Sequence, residues 1–125
     1  MYRKIIWTLL CLSLPISAHE WTPTYPKLKY SFVEGVLVTQ MTLFNSRKDV
    51  NYYEVSVWDK DWNSVPFSTA DRVVRVNHLQ RKRIDVYVRQ KDKDTVVYIC
   101  SKSKILSDDE KGTIVSSRIC SKIKK

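Results

Sequence analysis

Glycine is almost missing from this chain. The 125 residues hold two, Gly35 and Gly112, which excludes the glycine-rich loops that cradle phosphates. No Gly-x-Ser-x-Gly elbow and no His-Glu-x-x-His pair occurs, so hydrolase and zinc-protease sites of those kinds are not written here. There is no Cys-x-x-Cys redox pair. The longest apolar run, residues 5–14, falls short of the roughly 20 residues that span a bilayer. After that run no helical period persists, and there is no repeat of solenoid length and no low-complexity segment. Asp108, Asp109 and Glu110 are consecutive acids, a pattern usually just solvated, and the spaced oxygen ligands of a calcium loop are lacking. The sequence reads as a non-enzyme without a cofactor or a metal.

What is present begins with an export signal. Tyr2-Arg3-Lys4 is a short basic region, 5–14 the apolar run, and Pro15-Ile16-Ser17-Ala18 offers cleavage after Ala18. An uncleaved anchor needs a longer run. A lipoprotein site ending at Cys11 would tolerate the bulky Leu10 poorly. The expected division is therefore a signal peptide over 1–18 and a single domain over 19–125. Cleavage removes Cys11 and leaves Cys100 and Cys120, and an even pair in an exported protein reads as a disulfide. The 22 lysines and arginines stand against 13 acids for a net charge of +9; losing Arg3 and Lys4 leaves +7. A basic balance favours anionic partners, but export argues against nucleic acid. The charges are dispersed apart from Arg81-Lys82-Arg83 and the tail Lys122, Lys124, Lys125.

Residues 95–125 organise the rest. Two predicted strands, 95–102 and 113–125, flank the polar loop 107–112. Each carries Ile-Cys-Ser-Lys, at Ile99–Lys102 and Ile119–Lys122. Folded about Glu110, the strands set Cys100 opposite Cys120, within reach of a bridge. The second strand turns Ile119 and Ile123 inward and Arg118, Cys120 and Lys122 outward. Upstream, 19–25 has no period and reads as an extended lead-in. Residues 27–33 alternate, with Leu28, Tyr30 and Phe32 on the buried side. Residues 36–44 put Leu37, Thr39, Met41 and Leu43 on one face, 51–58 put Tyr53, Val55 and Val57 on one, and 83–89 put Ile84, Val86 and Val88 on one. Short strands at 65–67 and 73–76 lie between, the first with Pro66, which suits an edge. About seven short strands at this spacing in roughly 107 residues predict an all-β, immunoglobulin-like sandwich.

These features, in this order, resemble the first, immunoglobulin-like domain of the periplasmic pilus-assembly chaperones of the chaperone–usher pathway. Leu43-Phe44-Asn45, its polar turn and 52–58 resemble that family's second and third strands. Pro66-Phe67, Val74-Arg75-Val76 and 83–88 resemble the approach to its fifth strand and that strand itself. Residues 118–124 resemble its basic-apolar last strand with Lys-Ile-Lys. The resemblance covers most of 25–125. It implies a periplasmic chaperone that binds an unfinished pilin-like subunit of a pilus or other envelope appendage by lending its last strand, with an outer-membrane usher as a further partner. It also implies that two lysines anchor the subunit's terminal carboxylate, for which Lys27 and Lys124 match best.

A non-catalytic accessory or structural component of an envelope secretion or conjugation apparatus would share the fold without lending a strand. A third reading starts from His19, which cleavage after Ala18 would make the amino terminus. Together with His78, the only other histidine, it could offer nitrogen ligands to copper; an exposed terminal His and a loop His account for both residues as well. Trp58, Trp62, Tyr52 and Tyr53 crowd one hairpin as sandwich filling or as an exposed patch, Tyr53 favouring the core.

Overall fold

The computed structural model describes residues 19–104 and 116–125. The expected signal peptide over 1–18 lies outside the described residues. So does the expected tip of the closing hairpin, with Gly112 and the acids Asp108, Asp109 and Glu110. Three strands carry the core by simple alternation: β3 (Val36–Phe44), β4 (Tyr52–Trp58) and β7 (Arg81–Arg89), after two short strands, β1 (Glu20–Thr22) and β2 (Lys29–Tyr30), and with β5 (Phe67–Ser68) and β6 (Val73–Arg75) between β4 and β7. Leu37, Thr39, Met41 and Leu43 of β3, Tyr53, Val55 and Val57 of β4, and Ile84, Val86 and Val88 of β7 are all buried. Successive side chains point to opposite faces, so each strand needs only one apolar face. The closing hairpin is β8 (Tyr98–Lys104) and β9 (Arg118–Lys122).

The strands form two antiparallel sheets. One runs β1-β3-β7-β5, with β2 also on β3; the other runs β6-β4-β8-β9. Their apolar faces meet, which makes an immunoglobulin-like β-sandwich. The nine described strands exceed the expected count of about seven; the one with no expected counterpart is β1, a short piece that periodicity does not mark. A 3-10 turn, Gln90–Asp92, forms in the charged connection after β7. Gly35 has φ +78 in the turn between β2 and β3, a conformation that costs a residue without Cβ least. Ser31 closes that turn, its hydroxyl bonding the Val36 carbonyl at 2.6 Å.

Two expectations change here. The lead-in 19–25 contains β1, which pairs with the far end of β3, Trp21 opposite Leu43. His19 and Trp21 both point inward and reach the opposite sheet. The Trp21 indole N–H donates to the Ile99 carbonyl at 3.0 Å, and His19 Nε2 lies 2.7 Å from Ser101 Oγ. Small serines, Ser101, Ser103 and Ser121, are buried on that inner face and leave room for these rings. The second change is 27–33. Only Lys29–Tyr30 pairs, and Tyr30 and Phe32 are 78% and 112% exposed instead of inward. Leu28 alone packs against the core. At this point the chain is crossing between sheets, and alternation no longer maps onto an inside and an outside.

Candidate functional site

The site is built at the outer edge of β9. In an antiparallel pair, residues that exchange hydrogen bonds alternate with residues that do not. The Ser103 N–H bonds the Ser117 carbonyl at 2.8 Å, and the Ile123 N–H bonds the Val97 carbonyl at 2.8 Å. With Ser101 opposite Ile119 and Ile99 opposite Ser121, the residues bonded to β8 are Ser117, Ile119, Ser121 and Ile123. Arg118, Cys120, Lys122 and Lys124 therefore turn their backbone groups away from β8. Two of these meet the segment after β1. The Lys122 N–H bonds the Thr24 carbonyl at 3.0 Å and the Lys124 N–H bonds the Pro26 carbonyl at 2.8 Å. The bonds advance two residues on both segments, so 24–26 runs parallel to the end of β9. Residues 20–26 thus serve both sheets, β1 pairing with β3 and 24–26 with β9. Arg118 and Cys120 have no strand neighbour on the outer edge among the described residues.

Cys100 lies opposite Cys120 at a non-bonded position, where strands approach most closely: Cα–Cα is 4.0 Å, and the sulfurs are joined at 2.03 Å. The bridge sits on the outer face of the four-stranded sheet, with Cys100 buried. It closes a loop with a sequence separation of 20, and a loop of that size contributes about 3 kcal/mol in the chain-entropy model. A Cys100→Ala, Cys120→Ala chain is expected to lose about that much stability in urea titrations. A midpoint equal to that of the parent chain would show that the bridge adds nothing.

The parallel step that joins Lys124 to Pro26 puts the next residue, Lys27, beside Lys124. Both are exposed, and among the described residues neither side chain forms an ion pair. A groove of about 480 Å³ lies on the Lys27 side, lined by Tyr25, Lys27, Lys29, Tyr30 and Val38 among others; Lys124 does not line it. Two adjoining ammonium groups with no ion-pair partner among the described residues, at the end of β9 where 24–26 already pairs, can take an anion. Sequence reasoning did not find 24–26 as the neighbour of β9, because parallel pairing between distant segments leaves no local signature. Residues 113–115 of the expected final strand lie outside the described residues.

The histidines do not gather. His19 is 4% exposed and not solvated. Its Nδ1 lies 3.2 Å from Ser117 Oγ and its Nε2 2.7 Å from Ser101 Oγ, so both ring nitrogens are engaged. Burial lowers its pKa from 6.5 to about 4, against a smaller raising effect of the Ser101 hydrogen bond. His78 sits exposed in the loop between β6 and β7. Among the described residues no three His, Cys, Asp or Glu side chains cluster as a metal needs.

No family model matches the sequence, and no curated protein matches it. Among solved structures the fold is similar to that of the E. coli chaperone DraB. The TM-score is 0.62 at 18% identity, over 85% of this chain and 53% of that one. The chain thus spans about half the length of that chaperone. At this identity the likeness shows the fold, and the sandwich expected from the sequence is the sandwich found.

Proposed function

We propose that this chain is a chaperone-like protein of the periplasm, acting by binding and not by catalysis. It takes up pilin-like or other envelope-appendage subunits through β-strand donation. The observation that carries the reading is the outer edge of β9, which among the described residues has no hydrogen-bonded strand partner at Arg118 and Cys120 and ends at the adjoining lysines 27 and 124. An extended subunit segment adds to that edge through its main chain. Its terminal carboxylate sits between the ammonium groups of Lys27 and Lys124 in charge-assisted hydrogen bonds. The fold shared with DraB, itself a chaperone, supports the same reading. Delivery to an outer-membrane usher is the step such a complex would serve.

The test is capture of a subunit that lacks its last strand. The parent chain is expected to co-purify with it from periplasmic extract. Lys27→Ala with Lys124→Ala should weaken capture about a hundredfold, the effect of losing two charge-assisted contacts to one carboxylate. Equal capture by the double variant would remove the carboxylate site. Failure of the parent chain to capture any such subunit would favour an accessory component of an envelope apparatus.

A further inference from the structure

Trp62 holds a backbone conformation that suits it badly. Its φ is 63°, in the left-handed region where glycine or asparagine is usual. The 59–63 turn enforces this. Asp59 Oδ1 accepts the N–H groups of Asp61 and Asn63 at 2.9 and 2.8 Å, and the Asp59 N–H bonds the Asn63 carbonyl at 3.0 Å. Strain of this kind persists where the surrounding structure requires it. Here it places the indole flat on Tyr98, with ring centroids 4.3 Å apart and planes 1° from parallel. Trp58 lies 6.5 Å from Trp62, its N–H donating to Ser56 Oγ at 2.8 Å. The Arg118 guanidinium caps both indoles, 4.7 Å from the Trp62 centroid and 5.5 Å from Trp58.

Arg118 is the first residue of β9. The far end of β9 is tied by 24–26, and its middle by the disulfide. Among the described residues its near end has no hydrogen-bonded strand partner on the outer edge, yet in the reading above it meets the subunit. We infer that Trp62, with Trp58 and Tyr98, is a positioning clamp that grips Arg118 and fixes the near end of β9 in register. The strained turn exists to aim the ring. The link to subunit binding rests on the proposed function; the clamp itself does not.

Amide hydrogen exchange on the chain alone tests the clamp. Trp62→Gly removes the ring and relieves the backbone, so the fold survives. The Ser117 and Ile119 amides should then exchange about tenfold faster while β3 and β7 stay as they were. Arg118→Gln should do the same, and Trp62→Phe should restore the slow rate. Unchanged exchange in Trp62→Gly, or an equal rise across β3 and β7, overturns the inference. Subunit capture should weaken severalfold in Trp62→Gly in step with the exchange. If the parent chain captures nothing, the proposed function fails while the exchange data still decide the clamp.

Discussion

Asn45→Ala will destabilise the fold by about 4 kcal/mol, the largest loss expected from any single truncation described here. Asn45 directly follows β3 and is completely buried. Its amide uses every bond it has. Nδ2 donates to the Val50 and Val76 carbonyls at 2.7 and 2.8 Å, and Oδ1 accepts from the Tyr53 hydroxyl at 2.6 Å and the Arg47 N–H at 2.9 Å. One side chain thus ties the 45–50 turn, the residue after β6 and the start of β4. Alanine leaves two carbonyls, an N–H and a phenol facing a dry gap. Each stranded group costs roughly 1–3 kcal/mol, with partial relaxation. Burial pushes the Tyr53 hydroxyl up to about 12, so it remains a donor at any ordinary pH. Thermal unfolding of Asn45→Ala should fall by roughly 15 °C or more. Tyr53→Phe should lose only about 1–2 kcal/mol, because it removes one donor and keeps the ring. Equal melting of Asn45→Ala and the parent would mean that the network carries no stability.

The second large effect is acid lability set by His19. Above pH 6.5 the imidazole is neutral in both folded and unfolded chains. Between pH 6.5 and about 4 the unfolded chain binds a proton that the folded chain refuses, so stability falls as the pH falls through this window. Below about 4 both states are protonated and the loss is complete. At 1.36 kcal/mol per unit, the shift to about 4 amounts to roughly 3–4 kcal/mol. Asp49 and Asp59 have depressed pKa values, held down chiefly by Arg47 and by the Asn63 N–H respectively, so their contributions are lost below this window. Urea titrations from pH 7 to 4 should show the slope. His19→Gln, which keeps hydrogen-bonding capacity without the charge, should flatten it. A slope unchanged in His19→Gln would assign the lability elsewhere.

Much of the sandwich was legible in the sequence. Where a strand has one wet face and one dry face, alternation decides the matter, and β3, β4 and β7 follow it residue by residue. The repeated Ile-Cys-Ser-Lys set the β8–β9 register, since it places the cysteines at equal distance from Glu110. Beyond these strands local pattern carried less. A three-residue strand, preceded by a buried histidine and followed by Pro23 and Pro26, has no periodicity to read. Tyr30 and Phe32 alternate as core residues do, yet the chain is changing sheets there and both face water. The neighbourhood of Lys27 and Lys124 depends on a parallel contact between residues almost a hundred positions apart, and no short window contains it. Trp62 carries no mark of its φ either; the polar run 59–64 marks a turn, but not that a tryptophan takes the left-handed position in it.

The route taken by 19–26 has a consequence in time. These residues are made well before the partners they need. His19 waits for Ser117, Thr24 for Lys122, and Pro26 for Lys124. The sandwich cannot close around 19–26 until 117–124 have been made, and contacts of such long sequence separation form late and slow the folding.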